Sequence, residues 1–72
     1  MALETRGPYR SPGPTWDVLA DGRALSGYVL LLDGTYRVHL GGMRGMPWPP
    51  FDSLAEAAQA LADYHAGHPP AP

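Results

Sequence analysis

Two Asp-Gly dipeptides constrain this chain more than anything else in it. Asp21-Gly22 and Asp33-Gly34 each lie between runs rich in Val, Leu, Tyr and Trp. A two-residue type I′ loop needs φ > 0 at both central positions, which Asp tolerates and Gly prefers. Two such loops in succession predict a three-stranded antiparallel meander, with strands near residues 15–20, 25–32 and 35–40. Downstream, Ser53-Leu54-Ala55-Glu56 opens an Ala-rich stretch. Ser with Glu three residues on is a capping box. At the far end Gly67 stands as the residue that stops the helix, with prolines that cannot continue it.

The expected fold class is therefore α+β, a β-β-β-α domain over residues 15–66 with its helix at 54–66. Residues 1–14 read as a flexible arm, because Gly7, Pro8, Pro12, Gly13 and Pro14 interrupt regular structure. Residues 67–72 read as a Pro-rich tail. Between sheet and helix, residues 43–46 leave room for a short fourth edge strand, which Pro47, Pro49 and Pro50 keep short. Trp48 is expected to plug an edge of the core, since so small a chain rarely leaves a Trp idle.

The loops also fix a register. Asp21-Gly22 pairs Ala20 with Arg23 and Val18 with Leu25, while Asp33-Gly34 pairs Leu31 with Tyr36 and Val29 with Val38. Side chains alternate along a strand, so one face carries Trp16, Val18, Ala20, Leu25, Val29, Leu31, Tyr36, Val38 and Leu40. That nearly apolar set is the natural floor for the helix. On the helix, Leu54, Ala57, Ala58, Leu61, Tyr64 and His65 recur at the spacing of one face.

The opposite sheet face is mixed, with an apolar strip of Tyr28, Leu30 and Leu32 flanked by Arg37 and His39. One helix cannot cover both faces of a sheet. The chain must hide this strip with its own arms, share it with another chain, or leave it wet. The five residues Tyr28, Leu30, Leu32, Arg37 and His39 are the candidate interface, since aromatic and Arg side chains beside aliphatic ones suit protein contacts.

Charge narrows the partner. Seven acidic residues stand against five basic ones, all Arg, for a net charge of −2. Random-sequence nucleic acid is a disfavoured partner, because phosphate neutralisation supplies most of that affinity. The absence of Lys, Ile, Asn and Cys beside plentiful Ala, Gly, Pro and Arg fits a high-GC bacterium or its phage. The N-terminal segment has no apolar core of a secretory signal, and Val29–Leu32 is too short to span a bilayer, so the expected location is the cytoplasm, away from membranes.

Catalysis and cofactors find little purchase. Ser53 is committed to the cap, Ser11 sits in the arm, and no nucleophile–base motif is present. The expectation is no enzyme activity, no cofactor and no metal. His65-Ala66-Gly67-His68 has a His-x-x-His spacing, but Gly and prolines break the helix between its members. His65 instead suits the negative end of the helix dipole.

Phe51-Asp52-Ser53-Leu54-Ala55-Glu56-Ala57 at the helix start, after a three-stranded sheet, resembles the arm-binding N-terminal domain of phage-type tyrosine recombinases. The resemblance covers residues 15–66 and implies a sheet face that reads DNA, a role falling on Arg37, Arg23 and Arg44. The leading expectation remains a small protein-interaction or regulatory module working through the sheet face opposite the helix. The alternatives are a sheet-face DNA-binding module and a structural homodimer.

Overall fold

The computed structural model describes residues 2–10, 13–40 and 48–67. Five strands and one helix follow in chain order: β1 (Leu3–Tyr9), β2 (Thr15–Ala20), β3 (Arg23–Ala24), β4 (Tyr28–Leu32), β5 (Thr35–His39) and α1 (Leu54–His65). The sheet is antiparallel in the order β1-β2-β4-β5, and β3 pairs with β2 alongside β4. The class is α+β, as the sequence predicts. Among the described residues the strand number is five rather than three.

Both Asp-Gly loops take the anticipated conformation. Asp21 and Gly22 have φ of 51° and 81°, and Asp33 and Gly34 have 52° and 78°. The pairs Ala20↔Arg23, Leu31↔Tyr36 and Val29↔Val38 form in the expected register. The Leu25 amide donates to the Val18 carbonyl at 2.8 Å.

Two corrections concern strands. Leu3–Tyr9, expected within a flexible arm, is the edge strand β1, paired along β2 from Leu3↔Ala20 to Arg6↔Asp17. Its half-buried Leu3 and Thr5 alternate with exposed Glu4 and Arg6, a four-residue period of two that Gly7-Pro8 cuts short. Proline is tolerated there because the strand is an edge. The start of β1 is held by Asp21, whose backbone amide donates to the Ala2 carbonyl and whose Oδ1 accepts from the Ala2 amide, each at 2.9 Å.

The second correction splits the long central strand expected at 25–32. From Leu19 to Trp16 on β2, the partner moves from Ala24 to Val29. Two extra residues are accommodated in a bend at Leu25–Gly27. An even number leaves the alternation of faces intact, so the side-chain assignment survives the break. Gly27 turns this corner at φ 104°, and a Cβ there would lie 2.7 Å from the His39 carbonyl oxygen. No other residue type fits both the angle and the space.

Helix α1 covers the predicted face. Val18, Val29, Val38, Leu40, Trp48, Ala57, Ala58 and Leu61 form the core, with Trp16, Leu25, Tyr36, Phe51, Leu54 and Tyr64 packed against it. Ser53 caps the helix, its Oγ accepting the Glu56 amide at 3.2 Å and donating to Glu56 Oε1 at 3.2 Å. Trp48 is buried, edge-on to Tyr64 at 5.5 Å between ring centres. The buried helix stripe includes Ala62, whereas His65 is exposed. The His65 Nε2 lies 2.8 Å from the Ser26 carbonyl, which can only accept, so the ring donates there and ties the helix end to the bend.

Candidate functional face

The face away from α1 is assembled by register. Across the sheet, Tyr9 pairs with Thr15, Thr15 with Leu30, and Leu30 with Arg37, so these four side chains form one transverse row. The Tyr28↔His39 and Leu32↔Thr35 pairs share the same face by alternation. Strand β1 adds Glu4 and Arg6 on its outer margin, where Arg6 Nε meets Glu4 Oε2 at 3.1 Å.

All five residues of the expected interface therefore share one face. Tyr28, Leu30 and His39 are half-buried, while Leu32 is 45% exposed and Arg37 is exposed. Tyr28 and His39 stack almost parallel, with ring centres 4.8 Å apart and planes inclined by 8°. The pair is an aromatic stack across the central ladder, each ring packed on the face of the other. His39 Nδ1 is buried with no hydrogen-bond partner, an acceptor or donor left unsatisfied in that stack.

The edge strand missed in the sequence enlarges this face. It brings Tyr9, 47% exposed, to the end of the Thr15–Leu30–Arg37 row. Pro8, Tyr9, Arg10 and Pro14 line a shallow depression of about 380 Å³ beside it. Pro14 is anchored there because its carbonyl accepts the Leu31 amide at 2.9 Å. A Cβ on Gly13 would stand 3.7 Å from Leu30 Cδ1, so this connection shades one side of the strip. Leu19, placed on this face by alternation, is only 5% exposed; it lies in register between Glu4 and Ala24, and the added strand β1 gives β2 a neighbour on both sides.

The three arginines expected for DNA are not gathered. Arg37 is on the open face, whereas Arg23 pairs with Ala20 and so belongs by alternation to the helix side. Arg44, the suggested strand at 43–46 and His68 lie outside the described residues. At the edge of the face the Thr35 hydroxyl is engaged, its Oγ1 donating to the Leu32 carbonyl at 2.9 Å. No group of three metal-ligating side chains occurs among the described residues. No helix among them is long and apolar enough to cross a membrane.

Comparison with known proteins yields no similarity to argue from: no family model matches, and neither a curated protein nor a solved structure does.

Proposed function

We propose that this chain is a small, non-catalytic protein-interaction module that binds through the sheet face opposite α1. The observation that carries this reading is the aromatic stack of Tyr28 and His39 beside Leu30, exposed Leu32 and exposed Arg37 on a face that the helix does not cover. Aromatic side chains already held in a stack lose little side-chain entropy on binding, and a neighbouring Arg adds a directional donor. The mixed charges of Glu4, Arg6, Asp17 and Arg37 on this face favour a polypeptide over a polyphosphate.

The test is selection of binding peptides from a displayed random library on the immobilised protein, followed by titration against Leu32→Asp and Arg37→Glu. Both positions are exposed, so neither change should unfold the domain. Selected peptides that lose about tenfold or more in affinity to each variant support the reading. Peptides that bind both variants unchanged would place recognition elsewhere. Submicromolar binding to random duplex DNA at physiological salt would replace the peptide reading with a nucleic-acid one.

A further inference from the structure

The two edges of the sheet are treated differently. On the β5 side, Tyr36 and Phe51 exchange backbone hydrogen bonds of 2.8 Å in both directions, so that edge is covered there. On the β1 side, no described residue pairs with the outer edge. Antiparallel ladders alternate, so every second residue of an edge strand points its N–H and C=O outwards. The Asp21 amide bonds the Ala2 carbonyl, which makes Ala2 an inward-bonded position. Glu4 and Arg6 follow as inward-bonded, and Leu3 and Thr5 present their backbone groups outwards, an alternation that ends at the register shift after Arg6. The Val18 carbonyl agrees, because it bonds Leu25 on the other side of β2 and leaves its pairing with Thr5 unbonded.

We infer that this edge pairs antiparallel with β1 of a second copy of the chain, about a two-fold axis at Thr5. Thr5 then exchanges both backbone bonds with its own counterpart, and Leu3 falls opposite Gly7 of the second copy, where the register shift ends the regular ladder. Glu4 falls opposite Arg6 of the second copy, and Arg6 opposite Glu4. Natural edge strands carry charge to repel strand addition. A single sign would do that here, whereas opposite signs placed symmetrically about Thr5 attract across the axis. Both side chains are available, at 58% and 62% exposure, in a surface ion pair that holds them only weakly.

The helix side of the same edge is also unfilled. Leu3, Thr5, Leu54, Ala55, Ala58 and Gln59 line a groove of about 470 Å³ between β1 and α1. In the paired arrangement Thr5 of the second copy lies beside Thr5, along this groove, and Leu3 meets a glycine that leaves it room. Strand edge, charge pattern and groove thus point to one occupant. The pairing is independent of the peptide-binding reading and would place two open faces side by side on one continuous sheet.

The test is sedimentation equilibrium over a wide concentration range. The wild type should reach twice the 7.7 kDa chain mass. Glu4→Arg places a cation opposite Arg6 of the second copy, and Arg6→Glu places an anion opposite Glu4. Each should raise the dimer dissociation constant about tenfold or more on its own. Mixed together, the two variants should form a one-to-one dimer, because each position then faces its opposite sign across the axis. Neither chain has an internal Glu–Arg pair, so intramolecular repair cannot explain that rescue. A wild type that stays monomeric at every concentration would overturn the inference. So would a dimer unaffected by both variants, or one abolished by Leu32→Asp instead, which would move the contact to the open face.

Discussion

The two faces of this sheet are built from the same strands and alternate residues, yet they are held by different physics. The face under α1 is made of Val18, Val29, Val38 and Leu40 against Ala57, Ala58 and Leu61, with small alanines admitting close approach. The open face carries Tyr28, Leu30, Leu32, Arg37 and His39, stacked or solvated without a covering layer. One face gains stability from removing apolar area from water. The other collects that gain only in part, with Leu19 buried, Tyr28 and Leu30 half-buried and Leu32 exposed. The contrast teaches that burial, not hydrophobicity alone, distinguishes the covered face from the open one here.

The largest expected effect lies on the covered face. Leu61 is fully buried and touches the bend as well as the core, with its Cδ1 3.3 Å from where a Cβ on Gly27 would stand. Leu61→Ala should cost about 2–5 kcal/mol through lost burial and a residual cavity. Urea denaturation measures this directly. In a domain so small, the substitution should leave much of the chain unfolded without denaturant. A loss no larger than that of an exposed leucine would erase the distinction between the faces.

The bend at Gly27 joins the two faces and ranks next. Gly27→Ala meets both an unfavourable φ of 104° and the His39 carbonyl at 2.7 Å. A cost of about 1–3 kcal/mol is expected from strain of this kind. The His39 ring should shift with its backbone, so the nuclear magnetic resonance signals of Tyr28 and His39 should move together. Ser53→Ala, which removes the acceptor for the Glu56 amide, should cost on the order of 1 kcal/mol, read as a lowered thermal midpoint. Its effect belongs to the helix and should leave the Tyr28–His39 signals in place.

Much of this contrast is legible in the sequence. The loop at Asp33-Gly34 sets the β4–β5 register and that at Asp21-Gly22 the pairing as far as Val18 with Leu25, and alternation then divides the strands into faces that the structure reproduces. The capping box located the helix start because Ser53 and Glu56 are a local signal. Strand β1 escaped because its evidence is not local. Leu3 and Thr5 alternate over too few residues, and the strand exists through its pairing with β2, some fifteen residues away along the chain. The bend at Gly27 escaped for a related reason: an inserted pair of residues changes the pairing partner without disturbing the alternation of side chains. Tyr9 joined the open face only through that missed strand, so alternation placed the residues at the centre of that face and missed the one at its margin.

The smallest effect on stability is expected where the functional consequence is greatest. Leu32 is 45% exposed at the end of β4, and its carbonyl already accepts the Thr35 hydroxyl, so the turn does not depend on its side chain. Leu32→Asp should therefore change stability by less than about 0.5 kcal/mol, the usual range for a surface position. It should nevertheless weaken peptide binding, because an added carboxylate would have to be desolvated beside apolar surface. Stability and affinity are read on the same sample, by thermal melting and by titration with a selected peptide. An unchanged melt with weakened binding separates the two faces by function. A melt lowered as far as that of Leu61→Ala would instead show that the open face is a second core, and the division between covered and open faces would fail.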